Sequence, residues 1–162
     1  MKQNLDQKIF LLDDLVRQRK IWKYHEEICV FTNGCFDLLH EGHVRYLHEA
    51  KSLGHRLIIG LNSDASVRKL KGPTRPINFQ DSRAIVLAAL ESVDAVIVFN
   101  EETPIHLIQQ LLPDILVKGG DWSVDQIVGA QEVIEHGGKV FSLSFHNGFS
   151  TTLIEQKLKS GT

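Results

Sequence analysis

The sequence predicts an α/β fold: a doubly wound, five-stranded parallel sheet with helices on both faces, in a single domain. Three observations carry this. Five short segments are near-continuously apolar rather than alternating, as strands buried on both faces must be. The segments between them place apolar residues at helical spacing. Strand and helix patterns then alternate along the chain, which calls for parallel strands joined by helical crossovers. A length of 162 residues suits one domain with a continuous core.

Taken in order, Ile9, Leu12, Leu15, Val16 and Arg19 fall at helical spacing and predict a helix over 9–22. Residues 1–25 therefore read as a helical extension ahead of the main domain, 26–162. Strands are expected at 28–32, 56–61, 95–99, 115–118 and 139–143. Helices are expected at 43–53, 64–70, 79–91, 104–112, 125–136 and 150–159. Thr103-Pro104 puts proline at a first helical position, and Gly137-Gly138 ends the helix before the last strand. Residues 70–78, with Gly72, Pro73 and Pro76, show no periodicity and read as a loop.

Composition narrows the function. A formal net charge of −2 argues against a nucleic-acid surface, although Arg68, Lys69, Lys71 and Arg75 form a local basic cluster. No apolar stretch approaches the ~18 residues of a membrane span, and the polar start is no signal peptide, so the expected location is the cytoplasm. Cys29 and Cys35 show neither metal nor redox spacing, and reduced thiols are expected.

The most informative segment runs Phe31-Thr32-Asn33-Gly34-Cys35-Phe36-Asp37-Leu38-Leu39-His40-Glu41-Gly42-His43. A buried strand leads into a glycine turn, and two imidazoles follow at a helix start, where free N–H groups and the helix dipole attract anions. This is the pattern of a nucleotide-phosphate site. Asp37 also suits a turn or helix cap. The dinucleotide fingerprint G-x-G-x-x-G is absent after the first strand, and Gly138-Lys139 runs into Val140 rather than completing a Walker loop. His40 and His43 lie three apart where the zinc-protease helix needs four, and no third ligand at metal spacing accompanies them. No metal-ligating residue is assigned.

Gly34 to His43 resembles the G-x-F-D-x-x-H-x-G-H signature of the nucleotidyltransferase superfamily at every fixed position. Asn62-Ser63-Asp64, Arg83, 117–122 and Ser150-Thr151-Thr152 resemble that family's later blocks, in the same order. Among its branches the chain looks most like the adenylyltransferases of ADP-heptose synthesis. The resemblance implies a Rossmann-like fold and AMP transfer from ATP, with Mg²⁺ as its counter-ion, to D-glycero-β-D-manno-heptose 1-phosphate. Pyrophosphate is released, and the product is a precursor of lipopolysaccharide core. It also implies a homodimer, and a separate heptose kinase upstream, with neither nucleic acid nor membrane as partner. A cytidylyltransferase acting on glycerol 3-phosphate or another phospho-alcohol is the alternative, and a catalytically inactive nucleotide-binding regulatory module is a third. Some cytidylyltransferases carry R-T-E-G-I-S-T where this chain has 145–151 as Phe-His-Asn-Gly-Phe-Ser-Thr, which weakens the CTP reading.

Carried onto this chain, the family pattern gives His40, His43 and Lys71 catalytic roles. The imidazole N–H groups would bind α- and β-phosphate oxygens, and Lys71 would neutralise pyrophosphate. Thr32, Asn33, Gly34, Cys35, Phe36, Asp37 and Gly42 would line the nucleotide. Arg83, unusual at a helix start, would contact it too, as would Lys118, Gly119 and Asp121 beside base or ribose. Ser150, Thr151 and Thr152 would hold the β- and γ-phosphates, although Thr152 and Glu155 also have capping-box spacing. Asn62 and Asp64 are assigned to the acceptor substrate.

Overall fold

The computed structural model describes residues 4–144 and 151–160. Five strands, β1 (Cys29–Gly34), β2 (Arg56–Asn62), β3 (Ala95–Phe99), β4 (Ile115–Gly119) and β5 (Lys139–Leu143), lie within two residues of the predicted bounds. They form one sheet in the order β3-β2-β1-β4-β5, with every pairing parallel. The first strand is thus central, and the chain reverses its direction of winding between β1 and β4.

Helices cover both faces. On one side α2 (Glu41–Ser52), α3 (Asp64–Lys71) and α4 (Gln80–Ala88) link β1 to β2 and β2 to β3. There Tyr46, Leu47, Ala84 and Leu87 pack on Val30, Leu57, Ile59 and Val96. On the other side lie α1 (Leu12–Tyr24), α5 (Ile105–Leu111) and α6 (Ala130–Glu135), where Leu15, Trp22, Leu107, Ile108 and Val133 pack on Phe31, Ile58 and Leu116. Each fully buried aliphatic side chain contributes about 1.5–3 kcal/mol relative to exposure. A last helix, α7 (Thr151–Ser160), follows β5.

Four local departures from the sequence expectation have physical causes. The N-terminal helix starts at Leu12 rather than residue 9, because Ile9 forms a parallel bridge with Val96 and the Phe10 N–H donates to the Val96 carbonyl, holding that stretch extended. Pro104 is the N-cap of α5 rather than its first residue, and that helix ends on Leu112 in the left-handed region without a glycine. The expected helix 125–136 divides into a 3-10 turn (Val124–Gln126) and α6, since Gly129 sits at φ +85°. A Cβ there would also lie 2.4 Å from Ile108, so position 129 needs glycine twice over. Lys71, expected in an irregular loop, is the last residue of α3, a favourable place for a cation.

The amino ends of the strands are closed by side chains. Asp94 accepts from Lys51, Arg56 and the Leu57 N–H, and Asp114 accepts from Arg19 and the Cys29 N–H. The carboxyl ends are left open, where ligands of such sheets bind.

Candidate active site

At the carboxyl end of β1 the chain turns so that Phe36, at φ +44°, folds back beneath Gly34. Any Cβ at position 34 would fall 2.9 Å from the Phe36 ring, which fixes glycine there by packing. The buried Phe36 ring meets His43 edge-on at 5.4 Å. His40 caps α2, and His43 lies in its first turn with Gly42 between them. The two imidazoles stack, with ring centroids 3.9 Å apart and planes 28° from parallel.

Two facts set the protonation of the pair. Burial lowers the His40 pKa, and burial together with His40 and Lys71 brings His43 down to about 4. Both rings are therefore neutral near pH 7. The His43 Nδ1 accepts the His40 backbone N–H at 3.4 Å, so its proton resides on Nε2. His43 thereby presents a hydrogen-bond donor away from its own helix. The His40 Nδ1 is buried with no hydrogen-bond partner among the described residues.

Several residues expected at the nucleotide also bond within the protein and frame the site. Thr32 is fully buried, its hydroxyl 2.6 Å from the Tyr46 hydroxyl, and so joins β1 to α2. Asp37 is 3% exposed and accepts from Arg75 Nη1 (2.7 Å) and from the Ile77 and Asn78 N–H groups (2.8–2.9 Å). Burial opposes its ionisation, but the Asn78, Ile77 and Arg75 donors outweigh that and hold the carboxyl below its ordinary pKa. Arg83, expected to touch ligand, is 2% exposed and committed to protein. Its guanidinium donates to the carbonyls of Asn78, Cys35 and Asn62 and to Asp64 Oδ1 at 2.6–2.9 Å. Asp64 is thereby engaged with Arg83 rather than directed at a substrate. An arginine at a helix start is explained here by three carbonyls and one carboxylate converging on it.

A cavity of about 350 Å³ opens between the ends of β1 and β4, where the winding reverses. Asn33, Gly34, Cys35, Asn62 and Lys118 line it, together with Trp122. Lys118 is half-buried, and burial lowers its ammonium pKa. Lys71 acts electrostatically on both His43 and Cys35. Burial pushes the Cys35 thiol up, and it pushes Cys29 to about 12; both cysteines are free. Beyond Gly119, the loop is pinned: Trp122 Nε1 donates to the Gly119 carbonyl, and its N–H to Ser142 Oγ, both at 3.1 Å. Asp121 on that loop is exposed.

Thr151 and Thr152 form the start of α7, while Ser150 lies outside the described residues. Thr152 is already inside the helix, so Glu155 is not its capping partner. Glu155 instead pairs with Arg75 Nη2. Sequence reasoning missed Arg75 as a site residue. It sits in the basic cluster, but only the fold shows it bridging Asp37 of the signature to α7. Glu102, Thr103 and Gln126, which also line the cavity, gave no signal at all. Among the described residues no group of three His, Cys, Asp or Glu side chains is placed to hold a metal ion, and no helix is long and apolar enough to cross a membrane.

The chain is similar to known proteins. A family model described as Cytidylyltransferase-like matches residues 31–157. Over 153 residues the chain is 53% identical to a Methylobacillus flagellatus protein named Bifunctional protein HldE, covering 94% of this chain and 31% of that one. The protein of the same name from Mesorhizobium japonicum is 57% identical over 141 residues, or 87% of this chain and 28% of its own. The chain thus spans about a third of the length of the curated relatives it matches. Among solved structures, the lipopolysaccharide core biosynthesis protein from Thermoplasma volcanium is similar at TM-score 0.59 and 29% identity, covering 74% of this chain and 97% of that one. A pantoate-beta-alanine ligase from Francisella tularensis shares the fold at TM-score 0.61 and 14% identity, over 93% of this chain and 76% of its own.

Proposed function

Since the chain belongs to the cytidylyltransferase-like family, we propose that it transfers AMP from ATP to D-glycero-β-D-manno-heptose 1-phosphate, giving ADP-heptose and pyrophosphate. The observation that carries the reading is the pair of neutral, stacked imidazoles at the start of α2, with the His43 Nδ1 engaged and its Nε2–H left as a donor. In this reading an acceptor phosphate oxygen attacks the α-phosphorus of ATP in line. One P–O bond forms, the bond to the bridging oxygen breaks, and pyrophosphate leaves with that oxygen. The protein positions the reactants and stabilises developing charge. His43, and His40 beside it, donate N–H groups to α- and β-phosphate oxygens without themselves needing a charge. Lys71 and Lys118, which both act electrostatically on Cys35, supply positive charge. Mg²⁺ enters with ATP as part of the substrate.

The heptose acceptor is supported by the likeness to the HldE proteins and to a structure described as a lipopolysaccharide core biosynthesis protein. A sugar 1-phosphate is itself the product of a kinase or mutase, so an enzyme of that class must act upstream, and the cytoplasm is where ATP and such phosphates meet. The test is direct: incubate the protein with Mg²⁺, ATP or CTP, and a panel of sugar 1-phosphates and phospho-alcohols, and follow pyrophosphate. Release with ATP and heptose 1-phosphate is expected. Turnover only with CTP and a phospho-alcohol, or nucleotide binding with no turnover on any acceptor, overturns the proposal.

A further inference from the structure

The cavity between β1 and β4 is lined by groups of both charges, Lys118 and Glu102. Cys35 lines it too, and Lys71 acts electrostatically on Cys35 and on His43. Glu102 and Thr103, which follow β3 and precede α5, form another wall, and Trp122 and Gln126 from the loop after β4 line it as well. Trp122 is about half-exposed and held by its indole N–H on the Gly119 carbonyl. An anion is drawn to Lys118 and repelled by Glu102. The wall with Glu102, Thr103 and Gln126 offers a carboxylate, a hydroxyl and an amide, which are partners for hydroxyl groups rather than for phosphate. An indole face packs against the C–H side of a pyranose ring, as aromatic rings do against apolar surface. The volume, about 350 Å³, is at the small end of ligand sites.

We infer that this cavity seats the carbohydrate of the acceptor in one orientation, which moves Lys118 and Cys35 from the nucleotide, where the family pattern put them, to the acceptor: phosphate at Lys118 and Cys35, sugar ring on Trp122, and distal hydroxyls on Glu102, Thr103 and Gln126. The inference rests on the sugar 1-phosphate reading above and adds the residues that select the sugar. Glu102 is the specificity residue of the group, because its carboxylate excludes a second phosphate and accepts from hydroxyls.

Two measurements test it. Tryptophan fluorescence reports binding without turnover, since Trp22 is buried on the far side, against Arg56, and Trp122 lines the cavity. Titration with heptose 1-phosphate or mannose 1-phosphate should change the emission of the wild type and not that of Trp122→Phe. Inorganic phosphate should have little effect. In steady state, Glu102→Gln should raise KM for the sugar 1-phosphate about 10-fold or more and leave KM for ATP unchanged, as loss of a hydroxyl-to-carboxylate hydrogen bond predicts. Because Glu102 is exposed, this variant keeps the fold. An emission change with ATP alone, or a Glu102→Gln effect on KM for ATP, makes the cavity a nucleoside site and overturns the inference. Pyrophosphate release from heptose 1-phosphate with no emission change also overturns it, while leaving the transferase reading intact. Sugar-phosphate binding at Trp122 without turnover on any acceptor upholds the cavity and sinks the transferase reading.

Discussion

Replacing Arg83 with lysine separates a framing role from a ligand-binding one. The guanidinium reaches four acceptors at once: the Asn78, Cys35 and Asn62 carbonyls and Asp64 Oδ1. A lysine ammonium keeps the charge but is a single point on a flexible stem and cannot reproduce the fork. At least two acceptors in this buried setting then lose their donor, at about 1–3 kcal/mol each, so the loss is about 2–6 kcal/mol. For a domain of this size each kcal/mol moves the melting midpoint by about 2–4 °C, so a fall of roughly 4–24 °C is expected, with the middle of that range most telling. Thermal melts with and without saturating ATP give the shift, and turnover measured well below the new midpoint gives the kinetic effect. Because two of the three carbonyls, those of Cys35 and Asn62, belong to residues that line the cavity, kcat should fall with KM for ATP little changed. A variant that melts within about 2 °C of wild type but has a tenfold higher KM for ATP would refute this, and would return Arg83 to the nucleotide.

Two further perturbations probe the histidines and the C-terminal helix. His43→Ala should lower turnover about 10²–10³-fold, the usual loss for one transition-state donor, and retained activity would remove it from the mechanism. Burial keeps the folded His43 pKa near 4, below the ordinary value of about 6.5. The unfolded chain therefore takes up this proton first, so the stability present above about pH 6.5 is lost as pH falls toward 4. Melts from pH 7 to 4 should show the wild type losing stability faster than His43→Asn, and parallel curves would contradict the assignment. Arg75→Gln and Glu155→Gln should each raise KM for ATP, and the double variant should add less than their sum, as expected for two residues of one network. Strict additivity would mean that Arg75 does not hold α7 to the signature loop.

The strands were legible because burial on both faces leaves an unbroken apolar run, a signal that depends on neighbours one or two residues away. The signature proposed to hold phosphate was readable for the same local reason: Gly34, His40, Gly42 and His43 fall within ten residues. What the sequence concealed is long-range. Arg83 meets Cys35 across 48 residues, and Asp37 meets Asn78 across 41. No periodicity encodes such pairs, so nothing local announced that Asp37, Thr32 and Arg83 also bond across the fold. Gly129 and Leu112 divided or ended helices through backbone angles that apolar spacing does not specify. The cavity walls at Glu102 and Gln126 were silent because each is an unremarkable polar residue until the fold brings the loops after β3 and β4 to one cavity.

The position of the first strand at the centre of the sheet bears on how this fold diversifies. The residues proposed for bond making follow β1 within 33–43, while the cavity's outer walls come from 102–104 and 122–126, two separate stretches after other strands. Those walls can be exchanged, lengthened or recoloured in charge without shifting the histidines, whose places depend on β1 and the first turn of α2. A chain built this way can keep one reaction and change its clientele. Grafting the two wall segments between relatives, rather than altering the signature, is the route by which acceptor choice would be redirected.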